Sequence, residues 1–210
     1  MWSNVTPNTL LYLPLNWDLL DRSWNNNNGT ADWTITFETI WNKQYALFGA
    51  NSAINLTSLP VSWNNPSAFT QSVWLKTNSN GVAYMHHFGR DARQSRSNVI
   101  IFYSSNHRPL QDTYQVDIYL WNAVSSDMYE KWINVIYTYN NWTHKLMINW
   151  QLYWTWSWNL NIVSWYNKYI WRKDSNNWWY ALSECIFEMG ERSETAWLDY
   201  FNKTKSKYWY

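Results

Sequence analysis

The sequence contains a single cysteine, Cys185, and only 5 glycines and 5 prolines among its 210 residues. One thiol cannot form an intrachain disulfide, which excludes a small secreted scaffold stapled by disulfides. Because Cys185 lies in the strand-like stretch YALSECIFE, we predict that its thiol is buried and inert. A chain of this length is sufficient for one sizeable core, so we predict a single domain over residues 1–210.

The sequence also lacks an excess of charge of one sign and a long apolar run. Its 16 basic and 15 acidic residues give a formal net charge of +1, too little to hold a polyanion, so we predict no nucleic-acid partner. No stretch approaches the roughly 20 apolar residues of a membrane helix, so we predict no membrane insertion. The N-terminal stretch MWSNVTPNTLLYLPL shows no secretory signal. Either a signal has been removed, or export follows another route, or the protein stays inside the cell.

The pattern that is present is alternation of apolar and polar residues. Between Trp132 and Ile148 this alternation continues on both sides of the polar break Asn140-Asn141-Trp142, which predicts a β-hairpin. A second break, Asn149-Trp150, predicts another two-residue turn. Further strands are predicted at Leu10–Leu15, Thr34–Thr39, Gln44–Phe48, Ala53–Leu56, Phe69–Thr77, Val82–Phe88, Asn98–Tyr103, Thr113–Leu120, Tyr166–Trp171 and Tyr180–Glu188.

Two segments indicate how the strands are covered. In FTQSVWLKT, Val73 and Leu75 share one face and Trp74 lies on the other, which predicts a central strand with apolar cover on both sides. Residues 193–207 change to helical spacing, with Ser193 as a predicted N-cap and Glu194 in the first turn. The sequence thus predicts a short helix that closes the domain.

Tryptophan stands where turns normally carry glycine. In the two-residue turn Asn149-Trp150, both central residues of a type I′ turn need positive φ, which glycine adopts freely and an indole-bearing residue does not. Asn16-Trp17 and Ser23-Trp24 show the same oddity.

Several stretches together resemble a known family: LLYLPLNWD at 10–18, RSWNNNNGT at 22–30, FTQSVWLKT at 69–77, KWINVIYTYNNWTHKLMINWQLYWT at 131–155 and ERSETAWLDYFNKTKSKYW at 191–209. They resemble the laminin-G-like (concanavalin A-like lectin/glucanase) jelly-roll domains of bacterial surface proteins, over nearly the whole chain. The resemblance implies an all-β fold, a two-sheet antiparallel jelly-roll sandwich with a short C-terminal helix. The departures fall at turn glycines of the family, which are here Trp17, Trp24, Trp142, Trp150, Trp154, Trp165 and Trp171.

We therefore hypothesise that most of the 20 tryptophans are UGA codons that the native organism reads as glycine under an alternative genetic code. The alternative is a protein that is truly rich in tryptophan and uses an aromatic surface to stack sugars.

For function, the resemblance implies a non-catalytic, lectin-like carbohydrate-binding module for adhesion, located outside the cell or on its surface. The alternative is a structural subunit that self-assembles into a homo-oligomeric tube, fibre or surface layer. The chain begins and ends with the predicted domain, which suits a free-standing subunit.

The sequence predicts no enzyme. Glucanases of the resembled superfamily carry E-x-D-x-x-E on one strand, and this string is absent. Glu184 and Glu188 share a strand face but are four residues apart, roughly 13 Å at strand rise, whereas glycosidase carboxyls lie about 5–9.5 Å apart. The resemblance implies a structural, hydrogen-bonding role for Glu184. No nucleophilic triad order and no metal-ligand spacing occurs either.

Two sets of residues are candidates for binding. For carbohydrate, Asp117 and Tyr119 combine a carboxylate with an aromatic ring on one predicted strand face, an arrangement equally typical of a solvated face. Tyr114 and the loop residues Arg90 and Asp91 complete this candidate site. For Ca²⁺, Asp18, Asp21 and Asp32 lie in one polar loop, 16–32, although carboxylates in turns often bond their own backbone instead.

Overall fold

A computed structural model describes residues 5–32, 34–40, 43–49, 52–56, 67–77, 82–84, 87–88, 99–103, 108–113, 116–119, 130–157, 168–170 and 180–208. The strands are β1 (Thr9–Leu13), β2 (Gly29–Asp32), β3 (Ile35–Ile40), β4 (Lys43–Phe48), β5 (Ala53–Leu56), β6 (Ala68–Thr77), β7 (Val82–Tyr84), β8 (His87–Phe88), β9 (Val99–Tyr103), β10 (Arg108–Thr113), β11 (Val116–Tyr119), β12 (Ile133–Asn140), β13 (Thr143–Ile148), β14 (Gln151–Ser157), β15 (Lys168–Ile170) and β16 (Tyr180–Met189). Helix α1 (Glu194–Thr204) follows, with a 3-10 turn at Lys205–Lys207.

The largest sheet has 8 strands in the order β14-β13-β12-β6-β16-β4-β3, with β1 also paired to β16. Strand β16 accommodates two partners on one edge because β4 pairs with its residues 180–182 and β1 with its residues 185–188. Two further 4-stranded sheets have the orders β11-β10-β9-β7 and β2-β5-β15-β8. Every pairing between the described strands is antiparallel.

The large sheet is covered on both faces. On its inner face, Val73 and Leu75 belong to the same buried cluster as Ile54 of β5, which brings the sheet of β5 against it. On its outer face, Trp197 and Tyr200 of α1 form a second buried cluster with strand residues. The chain is therefore an antiparallel β-sandwich of jelly-roll type with one short C-terminal helix, as predicted.

Strand β6 confirms the prediction of a central strand with apolar cover on both sides. Trp74 points to the helix face, where its ring stacks on Tyr208 at 4.3 Å and on Phe201 at 5.8 Å between ring centroids. Its indole Nε1 donates a hydrogen bond to Thr204 Oγ1 at 3.2 Å. The ring is fully buried, so this tryptophan anchors the helix to the sheet.

The predicted helix is also confirmed. Ser193 is the N-cap, and its side-chain oxygen accepts a hydrogen bond from the backbone N–H of Ala196. The buried residues of the helix are Trp197, Tyr200, Phe201 and Thr204. No helix in the described part of the chain is long and apolar enough to cross a bilayer.

The predicted turns are present, but only some of the turn tryptophans have the expected backbone. Trp142 has φ 77° and Trp150 has φ 72°, in the left-handed region that favours glycine. Trp17, Trp24 and Trp154 are not among the described residues with positive φ. The expectation of left-handed backbone was therefore wrong for these three. Trp165 and Trp171 lie outside the described residues.

Several strand boundaries differ from prediction. Residues 82–88 hold two short strands, β7 and β8, which belong to different sheets. Strand β10 was not predicted, because Pro109 and the polar residues around it obscure the alternation. The polar loop predicted over 16–32 ends in strand β2, which pairs with β5. Cys185 is buried, as predicted.

Candidate functional site

The candidate carbohydrate site centres on strand β11, at the edge of its described sheet. Asp117 and Tyr119 lie two residues apart on this strand. That their side chains share one face stays a prediction. Strand β10 pairs with β11 so that Asp112 is the direct partner of Asp117 and Leu110 that of Tyr119. Two acidic residues therefore occupy opposed register positions on this hairpin.

Asp112 is the residue that sequence reasoning missed here. Its position opposite Asp117 follows from the register of β10 with β11, and β10 was not predicted from the sequence. Tyr114, Arg90 and Asp91, the remaining members of the candidate carbohydrate site, lie outside the described residues. Their place in this site stays a prediction.

The candidate calcium residues lie in or beside a loop that Asp21 organises. Asp21 is 6% exposed. Its Oδ1 accepts hydrogen bonds from the backbone N–H groups of Tyr12 and Ser23, at 2.9 and 2.8 Å. Its Oδ2 accepts from the Ser23 hydroxyl at 2.6 Å and from the Asn27 N–H at 2.8 Å. This carboxylate therefore holds the loop against strand β1 through four protein donors.

The other two aspartates are placed differently. Asp18 accepts from the backbone N–H of Leu20 at 3.1 Å and from the Arg22 guanidinium at 2.7 Å. Asp32 ends strand β2 and is exposed. Within the described ranges, no group of three or more His, Cys, Asp or Glu residues is arranged to hold a metal ion. Calcium binding by these aspartates stays a prediction.

The same loop displays large apolar side chains. Trp17 is 59% exposed, Trp24 is 74% exposed and Leu20 is 41% exposed. Hydrogen bonds fix the loop at several points, including Arg22 N–H to the Tyr12 carbonyl at 2.8 Å. A firmly held loop thus presents apolar surface to the outside, which is a common property of interaction sites.

The buried aromatic residues of β12 and β13 form core rather than a sugar platform. The His144 ring lies 2.7 Å, at Nδ1, from the Tyr137 hydroxyl and is stacked on Trp156 at 4.9 Å between centroids. Both His144 and Tyr137 are fully buried. Rings without an exposed face cannot stack on a sugar, so these two do not contribute to a binding surface.

Glu184 and Glu188, the two glutamates that share a face of β16 in the sequence prediction, both make structural contacts. Glu184 is 4% exposed and accepts hydrogen bonds from Tyr200 Oη at 3.1 Å and Lys207 Nζ at 2.7 Å. Burial, and next the charge of Glu184, raise the pKa of Tyr200 well above its usual value, so its hydroxyl stays a donor.

Glu188 is 2% exposed and accepts from the Thr9 hydroxyl at 2.8 Å and from Arg192 Nε at 2.8 Å. The Arg192 guanidinium also lies 4.3 Å from the Trp197 ring centroid. Both carboxylates therefore connect strand β16 to neighbouring elements.

The chain has the architecture of an antiparallel β-sandwich of jelly-roll type. No protein-family model matches the chain, and no curated protein matches it in sequence. Among solved structures, the binding domain of botulinum neurotoxin DC in complex with SialylT is similar, with a TM-score of 0.71 and 15% identity, over 94% of this chain and 52% of that chain. The same domain in complex with rat synaptotagmin II has a TM-score of 0.70 and 14% identity, over 93% and 51%.

A further similar structure concerns botulinum neurotoxin type C, whose cell entry depends on interaction with two ganglioside molecules. Its TM-score is 0.70 at 15% identity, over 93% of this chain and 51% of that one. The chain thus spans about half the length of these neighbours. At such low identity the likeness establishes the fold.

Proposed function

We propose that this protein is a non-catalytic, lectin-like carbohydrate-binding module. One observation carries the proposal: nearly the whole chain adopts the fold of a neurotoxin binding domain solved with SialylT. A second structure of the same fold concerns botulinum neurotoxin type C, whose cell entry depends on two ganglioside molecules. We further propose that its kinship lies with the laminin-G-like and concanavalin A-like lectins that the sequence resembles.

The proposed binding surface lies along the β10–β11 hairpin and includes Asp117, Tyr119 and the newly recognised Asp112. Carboxylates accept hydrogen bonds from vicinal sugar hydroxyls, and an aromatic ring stacks on the apolar C–H face of a pyranose. Arg90, Asp91 and Tyr114 are the other members proposed from the sequence. The opposed pair Asp112 and Asp117 adds hydrogen-bond acceptors that carry negative charge. Such a pair favours a neutral polyol, which donates hydrogen bonds, over an anionic sugar, which it repels.

The contacts of the buried glutamates argue against Glu184 and Glu188 as a catalytic pair. A glycosidase acid needs a carboxyl that reaches the glycosidic oxygen, and its partner must lie about 5–9.5 Å from it across the bond. Glu184 and Glu188 are instead nearly inaccessible and are hydrogen-bonded to the helix, the 3-10 turn or strand β1. Neither is placed to meet a substrate.

We propose that the module acts outside the cell or at its surface, as an adhesion domain. Calcium, proposed at Asp18, Asp21 and Asp32, would need a ligand set beyond these residues, since both Asp21 oxygens already accept two hydrogen bonds each. We also propose that residues 1–210 constitute one domain.

A glycan array tests the proposal. The protein is applied with calcium and, separately, with a chelator, to an array that holds neutral, acidic and sialylated glycans. The proposal expects binding to a restricted set of glycans, with no bond cleavage when the bound glycans are analysed afterwards by mass spectrometry. Binding to no glycan under either condition contradicts the proposal, and released sugar contradicts the non-catalytic part of it. Loss of binding in chelator alone supports the calcium site.

A second candidate function, self-assembly into a homo-oligomer, is favoured by the exposed apolar side chains of the loop around Asp21. Trp17, Leu20 and Trp24 present their side chains on a hydrogen-bonded loop rather than on a loose one, and such a surface can be covered by another copy of the chain. Light scattering during size exclusion over a hundredfold concentration range discriminates. A monomer throughout contradicts assembly, and an oligomer that Trp24→Ser dissociates supports it.

A further inference from the structure

Residues 142 and 150 occupy the second position of two tight hairpin turns. Asn140 pairs with Thr143, so the loop between β12 and β13 is Asn141-Trp142. Ile148 pairs with Gln151, so the loop between β13 and β14 is Asn149-Trp150. All four loop residues have positive φ: 41° and 77° in the first turn, and 48° and 72° in the second. These are the angles of type I′ turns, whose preferred sequence is Asn-Gly.

The strands hold both turns in place, so this backbone is not that of a loose loop. The Asn141 N–H donates to the Ser67 carbonyl at 2.8 Å, and the Asn149 N–H donates to the Asn134 carbonyl at 2.8 Å. The Asn149 side-chain oxygen also accepts from the Asn134 N–H at 2.9 Å. Register on both sides therefore dictates left-handed backbone, whichever residue occupies position 142 or 150.

In each turn the first residue, Asn141 or Asn149, suits a left-handed backbone, whereas the second residue, Trp142 or Trp150, does not. Asparagine tolerates the left-handed region better than most residues, and glycine enters it without steric cost. Tryptophan has a Cβ that crowds the backbone there. The Trp142 side chain is 58% exposed and packs in no buried cluster of the described core, so no burial compensates for the crowding.

Trp150 has positive φ too, although its ring is partly buried against two clusters of the core. The other described tryptophans, including Trp156, lack positive φ, and Trp74, Trp132 and Trp197 among them are also buried. We infer that the natural protein carries glycine at positions 142 and 150, where a codon read as glycine in its organism has been translated as tryptophan. This inference does not depend on the proposed binding function.

Peptide mass spectrometry of protein isolated from its natural source tests the residue identities. The tryptic peptide that ends at Lys145 contains position 142, and the next peptide, which ends at Lys168, contains position 150. The inference expects fragment ions that place glycine at both positions. Fragment ions that place tryptophan at either one overturn it for that position.

Equilibrium unfolding of the recombinant protein tests the physical basis at Trp142, where the ring is exposed. Trp142→Gly is compared with Trp142→Ala, which also removes the indole but keeps a Cβ in the left-handed region. We expect the folding equilibrium constant of Trp142→Gly to exceed those of the parent and of Trp142→Ala by about 5–30-fold.

The matched control is Trp24→Gly, at a site that is 74% exposed but lacks positive φ. It should give no gain, because glycine adds flexibility to the unfolded chain without relief of strain. A Trp142→Gly variant no more stable than Trp142→Ala, or an equal gain in Trp24→Gly, overturns the geometric argument.

Discussion

The hydroxyl of Tyr200 on helix α1 donates a hydrogen bond to the carboxylate of Glu184 on strand β16 at 3.1 Å. Glu184 has φ 51° and lies at an irregularity in the pairing of β16 with β6. At this point the partner on the other edge of β16 changes from β4 to β1. The bulge in β16 therefore lies where the partner strand changes, and it directs the Glu184 carboxylate towards helix α1.

Replacement of Glu184 should loosen the C-terminal helix. Glu184→Ala removes the acceptor of the buried Tyr200 hydroxyl and of Lys207 Nζ. A buried donor left without its acceptor costs about 1–3 kcal/mol, so we expect a decrease of that size in the free energy of unfolding in urea. The control is Lys203→Ala, which breaks an ion pair with side chains 56% and 60% exposed and should change stability by less than about 1 kcal/mol. An equal effect of both changes contradicts this role of Glu184.

Trp74 should behave as a true core tryptophan. Trp74→Ala removes the stack on Tyr208 and the hydrogen bond to Thr204 and leaves a cavity between sheet and helix. Such substitutions cost about 3–5 kcal/mol, measurable by urea unfolding. Trp74→Phe keeps a ring and should recover much of this loss. If Trp74→Ala is as stable as the parent, the described packing of α1 on the sheet is wrong.

The buried pair of Glu188 and Arg192 should be sensitive to the loss of one partner. Arg192→Met keeps an unbranched side chain as far as the position of Nε but removes the guanidinium, so Glu188 loses its cation inside the protein. Removal of one member of a buried pair costs about 3–5 kcal/mol. The double variant Glu188→Gln with Arg192→Met should recover part of this loss, because no buried charge is left unpaired. A double variant that is no more stable than Arg192→Met alone contradicts this account.

Acid should weaken the contact between the β12–β13 turn and the start of the helix. Partial burial pushes the pKa of Glu191 up, but hydrogen bonds from Asn140 and Lys145 and the charge of Lys145 outweigh it, so the net pKa is lower than usual. A lowered folded-state pKa contributes stability above the unfolded value of 4.5, and this contribution is lost as pH falls through the folded-state pKa. The stability difference between the parent and Glu191→Gln should be constant from pH 7 to pH 5 and shrink below pH 4.5. A difference that grows in acid contradicts this sign.

Parts of the fold could be predicted because local patterns and tertiary packing agree there. Val73, Trp74 and Leu75 alternate between two apolar layers, and Ser193 caps the helix that the change of period indicates. Strand β10 escaped prediction because Pro109 and polar neighbours hide its alternation. The bulge at Glu184 also escaped, because its left-handed backbone is imposed by two partner strands and not by local sequence.

The candidate site was less predictable for the same reason. The opposition of Asp112 and Asp117 depends on the register of a hairpin with one unpredicted strand. The role of Asp21 depends on donors from residues 12, 23 and 27, which only the folded loop brings together. Residue types identified the chemistry available, whereas the pairing of strands and loops determined which groups meet.

Titration of the strongest glycan from the array against the parent, Asp117→Ala, Tyr119→Ala and Asp199→Ala tests the carbohydrate proposal most directly. Asp199 is an exposed carboxylate on helix α1, paired only with exposed Lys203 among the contacts described for it, and its variant is the control for charge loss. We expect Asp117→Ala and Tyr119→Ala to bind the glycan at least about tenfold more weakly, a change of about 1.4 kcal/mol. The affinity of Asp199→Ala should equal that of the parent, and all variants should unfold at the same temperature as the parent. Site variants that bind like the parent would contradict the proposed surface, and a parent that binds no glycan would contradict the function itself.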